Sequence, residues 1–114
     1  MKVLVCGGRD YDHQKIVNTV LMAIHLNGPI TEIIEGGARG ADTCGKEFAR
    51  IAGIKCTTVK ADWTKYGKAA GWHRNNAMAD LKPDLVVAFR GGKGTAMMIK
   101  IANERGIKVK EITA

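Results

Sequence analysis

Short runs of β-branched and apolar residues alternate with longer segments of helical spacing along this chain, and this alternation constrains its fold more than any other feature. The longer segments carry apolar residues three or four positions apart, which is the pattern of a helix with one buried face. Glycine-rich clusters stand at the junctions. The short runs are predicted strands, and they span residues 3–6, 32–35, 55–59, 85–89 and 107–112.

The repeated strand–helix order predicts a parallel sheet that is covered on both faces. Right-handed crossovers between successive strands then give an α/β fold, a single doubly wound, Rossmann-like three-layer sandwich with a mainly parallel sheet of about five strands. We expect the strand order 3-2-1-4-5 and a further helix between residues 67 and 81. The 114 residues suit one domain over 1–114, which is too short to hold separate cofactor and substrate domains.

Composition limits the classes of protein to which the chain can belong. Hydrophobic residues make up 46% of it and charged residues 25%, as in globular proteins that fold in water. No apolar stretch approaches the roughly 18 residues of a membrane span, and the run from Met1 to Gly7 is too short for a signal peptide, so we expect a cytoplasmic protein without a membrane partner. Cys6, Cys44 and Cys56 are odd in number and lack CxxC spacing, which predicts reduced thiols and no metal site.

Three of the predicted strands end in loops that combine glycine with a cationic residue: Gly7 to Asp10, Gly36 to Asp42 and Arg90 to Thr95. The carboxyl ends of parallel strands meet at one edge of the sheet, where ligands of such folds bind. Glycine lets backbone amides approach a phosphate, and a helix that begins just beyond adds its unpaired amides. Any one loop could be only a tight turn, but together they predict an anion site, which the formal charge of +7 also favours. None is a GxGxxG or Walker A loop, so we expect no nicotinamide or other cofactor.

In this order, the motifs of the chain resemble those of the SLOG superfamily of Rossmann-like domains. Its small YspA-related branch is typified by an initial GGRD, a GGARGAD loop, an Asp-Trp pair, a helix rich in Gly and Arg-Asn, and a terminal GGxGT. The second loop is also similar to that of the DNA-processing protein DprA, and the last to that of the lonely guy phosphoribohydrolases. The motifs stand at Gly7 to Asp10, Gly36 to Asp42, Asp62-Trp63, Gly71 with Arg74-Asn75 and Met78, and Gly91 to Thr95.

This resemblance implies a nucleotide or nucleotide-derived ligand with a phosphate on the Gly91 to Thr95 loop. In the phosphoribohydrolases, an arginine in an RxxxM motif and a glutamate three residues after the GGxGT threonine act on the N-glycosidic bond. Arg74 and Met78 match the first pattern, but Met98 occupies the glutamate position, and methionine cannot activate water. The expected ligand-binding residues are Gly7, Gly8, Arg9, Asp10, Gly36, Gly37, Ala38, Arg39, Asp62, Trp63, Arg74, Asn75, Arg90, Gly91, Gly92, Lys93, Gly94 and Thr95.

Aspartates and tryptophans near these loops are further candidates. Asp10 or Asp42 could replace the missing glutamate, and the catalytic candidates are Arg74 and Asp10. For Asp42 we favour a structural role, in which the carboxylate caps its helix or holds its own glycine turn. Trp63 is expected to stack on a base, whereas Trp72 suits the core and the ligand equally well.

The expected function is a binding module that senses or sequesters a small nucleotide, such as a signalling or NAD-related nucleotide. One alternative is an enzyme that cleaves a nucleotide N-glycosidic bond, which Met98 disfavours. The other is DprA-like binding of single-stranded nucleic acid, which is disfavoured because the cations concentrate at loop tips and which we expect to be lost at physiological salt. We also expect a homo-oligomer, since a small domain gains buried surface by assembly.

Overall fold

A computed structural model describes residues 1–114 and contains five strands, five α-helices and one 3-10 turn. The predicted strands are confirmed, with ends that differ by at most one residue. The segment predicted as one helix over 67–81 is a 3-10 turn followed by a helix, preceded by a single separate helical turn. The elements are β1 (Lys2–Cys6), α1 (Gln14–Asn27), β2 (Glu32–Glu35), α2 (Ala41–Ala52), β3 (Lys55–Thr58), α3 (Trp63–Tyr66), the 3-10 turn (Gly67–Ala69), α4 (Ala70–Asp80), β4 (Leu85–Ala88), α5 (Lys93–Glu104) and β5 (Lys108–Glu111).

All five strands are parallel, and their order in the sheet is β3-β2-β1-β4-β5. The predicted doubly wound α/β class and strand order are therefore confirmed. β1 lies at the centre and pairs with β2 on one side and β4 on the other. Because the chain moves outward from β1 to β3 and then returns to β4, the winding direction changes between β1 and β4. In such folds the crevice at this switch point, at the carboxyl edge of the sheet, is the usual position of a ligand.

Two apolar cores separate the sheet from its helices. On one face, α1 and α2 pack their buried residues, including Val17, Leu21 and Phe48, against the sheet. On the other face, α4 and α5 contribute Met78 and Ile101. The helical spacing of these apolar residues is what the sequence pattern predicts. The three-layer arrangement holds the helix N-termini at the carboxyl edge of the sheet.

All three cysteines are free, as expected: Cys6 and Cys44 are buried, and Cys56 is half-buried. Burial raises the pKa of the Cys6 thiol to about 12. No helix is both long enough and apolar enough to cross a membrane. The structure brings no three His, Cys, Asp or Glu side chains together as a metal-holding group.

Candidate functional site

A pocket of about 460 Å³ opens at the crevice between the β1 and β4 loops, and we call it the main pocket. Its volume lies within the roughly 300–1,000 Å³ that is usual for small-molecule sites. The two loops touch backbone to backbone, since the amide of Gly8 donates to the carbonyl of Arg90 at 2.9 Å. A Cβ at Gly91 would overlap the Thr95 hydroxyl and lie 2.7 Å from the Gly8 nitrogen. These two glycines are therefore required for close packing of the loops.

The N-terminus of α5 forms one side of the main pocket. Lys93, Gly94 and Thr95 line the pocket, and their backbone amides make no hydrogen bond within the chain. The first amides of a helix have no intrahelical acceptor, and together with the helix dipole they favour an anion. The Lys93 side chain is exposed and has no acidic partner. This side of the pocket can bind a phosphate with amides and one cation.

The second glycine loop is built differently, because carboxylates of the protein occupy its amides. Asp42 Oδ2 accepts hydrogen bonds from the amides of Gly36 at 3.1 Å and Ala38 at 3.2 Å. Glu35 Oε1 accepts from the amide of Gly37 at 2.7 Å. The amides of this loop therefore do not provide the phosphate cradle that its composition predicts, and the loop offers side chains to an anion instead.

Glu35 is the most deeply buried acid of the site, with 1% of its surface exposed. Its other oxygen accepts a hydrogen bond from the Thr58 hydroxyl and a longer one from the Cys56 thiol. These partners lie on the neighbouring strand β3, so Glu35 ties the end of β2 to β3 and to the loop beyond. This role was not predicted from the sequence, although a glutamate directly before a glycine pair at the end of an apolar strand is a signal for it.

Asp42 lies in the first turn of α2 and borders the main pocket. Burial raises the pKa of its carboxyl group to about 6; Glu35 adds to the rise, while the amides of Ala38 and Gly36 and the guanidinium of Arg74 oppose it. Asp42 does not cap its helix, and it holds the glycine turn, which is one of the two structural roles expected. Its Oδ1 makes no hydrogen bond, and no buried side-chain oxygen of the chain lacks a partner, so Oδ1 is open to the pocket.

Arg74 and Asn75 of α4 connect the two glycine loops across the pocket. Arg74 Nη1 donates to the carbonyl oxygen of Gly36 at 2.8 Å, and its Nε donates to Asn75 Oδ1 at 2.9 Å. Asn75 Nδ2 donates to the carbonyl of Gly94 at 3.3 Å. The second terminal nitrogen of Arg74, Nη2, has no partner within the chain. This network fixes the guanidinium at the pocket and leaves both N–H groups of Nη2 for a ligand.

Apolar and aromatic side chains also line the main pocket. Trp63 and Trp72 are 54% and 51% exposed, and both border the pocket. Met78 and Met98 are nearly fully buried and form part of its floor. Met98 therefore has the core position that its helical spacing predicts, and it brings no carboxylate to the pocket. Half-exposed indoles beside a cationic loop can stack on a base.

The expected site residues fall into three groups. Eleven border the main pocket: Gly7, Gly8, Arg9, Ala38, Trp63, Arg74, Asn75, Gly92, Lys93, Gly94 and Thr95. Three others, Gly36, Gly37 and Arg39, lie in an adjoining hollow of about 490 Å³, which we call the side depression. Four border neither: Asp10, Asp62, Arg90 and Gly91.

The excluded side chains have other contacts. Asp10 is 96% exposed and pairs with Arg39 at 3.4 Å, so the catalytic candidate Asp10 does not reach the pocket. Asp62 caps α3 by accepting from the Lys65 amide at 3.0 Å. Arg90 borders a different hollow, next to the residues that follow β4 and β5.

Several residues that border the main pocket were not among the expected ligand contacts. Lys68 stands in the 3-10 turn before α4 and Gly71 in the first turn of α4, and periodicity carries little information in this part of the chain. Cys6 is the last residue of β1, and the sequence pattern predicts it as a buried strand residue. The full set is Cys6, Asp42, Lys68, Gly71, Trp72, Met78, Met97 and Met98.

The doubly wound sheet and the position of its pocket define a Rossmann-like α/β protein with a crevice at the switch point. The chain belongs to the YspA, cpYpsA-related SLOG family, whose model matches residues 1–66. The predicted resemblance to SLOG domains is thus confirmed. The matched region contains the first two glycine loops and ends before Arg74.

Two individual proteins are similar to the chain. Gene 61 protein of Mycobacterium phage D29 is 32% identical to the chain over 116 residues, covering 95% of this chain and 93% of that protein. The X-ray structure of DNA processing protein A (DprA) from Streptococcus pneumoniae superposes with a TM-score of 0.79 at 23% identity, covering 99% of this chain and 50% of that one. This chain spans half the length of DprA, and the likeness shows a shared fold.

Proposed function

We propose that this protein binds a nucleotide or nucleotide-derived ligand in the main pocket, as a module that senses or sequesters it. The observation that carries the proposal is the convergence of open α5 amides, an unpaired lysine and two half-exposed tryptophans on one pocket at the switch point. Family membership and the DprA-like fold are consistent with nucleotide or nucleic-acid binding. The dimensions of the pocket suit a compact ligand.

The ligand is oriented by two chemically different ends of the pocket. A phosphate accepts hydrogen bonds from the amides of Lys93, Gly94 and Thr95, where the helix dipole favours its charge. The base lies toward Trp63 and Trp72, whose faces are exposed. Arg74 stands between the two ends and donates its free Nη2 to the phosphate or the sugar.

The experiment is a thermal-shift screen of nucleotides and dinucleotides, followed by calorimetric titration of each compound that raises the melting temperature. Charge-assisted bonds to phosphate contribute about 1.5–3 kcal/mol each. Arg74→Ala and Lys93→Ala should therefore each weaken binding by about tenfold to a hundredfold. The matched control is Lys100→Ala, which removes an exposed lysine from α5 outside the pocket. The proposal fails if no nucleotide moves the melting temperature.

One observation favours cleavage of a nucleotide N-glycosidic bond as a second candidate function. Asp42 brings an open carboxylate oxygen to the pocket, and its pKa of about 6 suits proton transfer near neutral pH. It is the acid that Asp10 cannot supply from its exposed position. Chromatography of nucleoside monophosphates incubated with the protein tests this candidate: release of free base that stops in Asp42→Asn establishes it, and no release excludes it.

A further inference from the structure

The side depression adjoins the main pocket and has a distinct chemical character. The two share Arg9, Ala38, Trp63 and Arg74, so a ligand can extend from one to the other. No acidic residue borders the side depression, and apart from Trp63 and two alanines it lacks apolar side chains. Four cations border it: Arg9, Arg39, Lys60 and Arg74.

These cations are largely uncommitted within the protein. The structure contains three ion pairs, and neither Arg9 nor Lys60 takes part in any of them. Arg39 is engaged only with Asp10, through a pair at 3.4 Å whose side chains are 75% and 96% exposed. Exposed pairs of this kind contribute little and exchange readily for a better acceptor. The depression therefore holds two cations without an acidic partner, Arg9 and Lys60, beside Arg39 in a weak exposed pair and Arg74, which interacts with the Asp42 carboxylate.

The backbone explains why these side chains, and not amides, would hold an anion here. The amides of Gly36, Gly37 and Ala38 are bound to Asp42 and Glu35. A Cβ at Gly37 would lie 3.1 Å from the Lys60 Cγ, so the lysine stem lies directly over the loop. Long cationic side chains over a closed loop suit a phosphate that remains partly solvated.

From these observations we infer that the ligand is a nucleoside flanked by two separate phosphate groups, one at the N-terminus of α5 and the other in the side depression. This inference rests on the proposed function and specifies its ligand class. A diphosphate does not meet the requirement, because its adjacent phosphoryl groups stay together at one end of the pocket. Phosphates on the 5′ and 3′ oxygens project from opposite sides of the ribose and reach both regions. A free nucleoside 3′,5′-bisphosphate and the 5′-terminal nucleotide of a short strand share this chemistry.

Calorimetric titration of the full chain with three probes tests the inference: adenosine 5′-monophosphate, adenosine diphosphate and adenosine 3′,5′-bisphosphate, with the guanosine series in parallel. The bisphosphate should bind at least about tenfold more tightly than the monophosphate and the diphosphate, since it alone gains charge-assisted bonds in the side depression. The decisive quantity is the ratio of bisphosphate to monophosphate affinity. In Lys60→Ala and in Arg39→Ala this ratio should fall toward one, whereas in Lys100→Ala it should stay at the wild-type value.

The 5′-phosphorylated dinucleotide distinguishes the two sources of the ligand. Tighter binding of the free bisphosphate identifies a small molecule, and tighter binding of the dinucleotide identifies a strand end. Equal affinity for the diphosphate and the bisphosphate, or a ratio that survives Lys60→Ala, overturns the inference while nucleotide binding itself stands. If no probe binds and the nucleotide screen is also silent, the proposed function fails. Lys60 and Arg39 are exposed surface residues, and their replacement leaves both apolar cores intact.

Discussion

Replacing Asp42 by asparagine should stabilise the protein at neutral pH and remove part of the pH dependence of its stability. An asparagine keeps a carbonyl oxygen to accept from the amides of Gly36 and Ala38. Its amide nitrogen then takes the place of Oδ1, which is open to the pocket and needs no acceptor from the protein. The variant thus imitates the protonated carboxyl group and avoids burying a charge.

The magnitude follows from the pKa of Asp42. Burial raises this pKa from 3.8 to about 6, which at 1.36 kcal/mol per pKa unit corresponds to about 3 kcal/mol. Between these two pH values the folded state retains a proton that the unfolded chain has lost. The contribution of Asp42 to the free energy of unfolding therefore falls as pH rises through this window, by up to about 3 kcal/mol, and is constant above it.

The contribution of Asp42 can be measured by urea denaturation of the wild type and of Asp42→Asn at pH 4 and at pH 7.5. All other titrating groups are common to the two proteins, so the difference between them isolates Asp42. The stability difference between variant and wild type should grow in favour of the variant between the two pH values. Asp10→Asn is the control, since Asp10 is almost fully exposed. If the variant is less stable than the wild type at pH 7.5, the attraction of Arg74 for the ionised Asp42 outweighs burial and the reasoning is refuted.

Four further predictions concern packing, thiols, nucleic acid and assembly. Gly40→Ala should lower the free energy of unfolding, measured by urea denaturation, by more than about 2 kcal/mol, because φ is +81° there and a Cβ would overlap the Gly8 and Arg9 carbonyls. Gly71→Ala should raise it by about 0.5–1 kcal/mol, because a Cβ at this position in α4 meets open space. A thiol-reactive dye at pH 8 should label the native protein slowly and reach three equivalents only on unfolding, since burial raises the pKa of all three cysteines. Fluorescence anisotropy should show oligonucleotide binding that is lost near physiological salt, with a slope of log affinity against log salt concentration of about −0.7 per phosphate contacted, while the affinity for the nucleotide persists. Tight oligonucleotide binding that a mononucleotide does not displace would favour nucleic acid as the ligand. Light scattering at micromolar concentration should give a homo-oligomer, and a monomer would contradict that expectation.

The fold could be predicted because its determinants are periodic. The strand at residues 85–89 and the buried face of the helix that includes Met98 can be predicted from the local pattern of apolar residues. Their prediction requires no information on contacts between distant parts of the chain. The prediction from periodicity failed at Gly67, where a φ of +55° separates the helical turn of α3 from the segment that follows. A glycine in a polar segment does not indicate which conformation it will adopt.

The main pocket lies at the edge of the sheet where the sequence places the ligand, but the hydrogen bonds within its loops were not predicted. The pairing of Asp42 with Gly36 and Ala38 depends on how the loop folds back on the start of α2, and sequence spacing is compatible with capping as well. The direction of Arg90 depends in the same way on how the chain leaves β4. Side chains beyond the last ladder residue of a strand are no longer constrained to alternate, so neighbouring loop residues can face different hollows.

The three glycine loops look alike in sequence, yet the structure gives each a different physical role. In the first, the Gly8 amide is used to join the β1 and β4 loops. In the second, Asp42 and Glu35 occupy the amides. At the N-terminus of α5, the amides of Lys93, Gly94 and Thr95 remain open beside the main pocket. We therefore expect the proposed ligand to meet backbone donors at one end and cationic side chains at the other. Because Lys60 and Arg39 lie outside the main pocket, their replacement should weaken recognition of the second phosphate and leave recognition of the nucleotide in place.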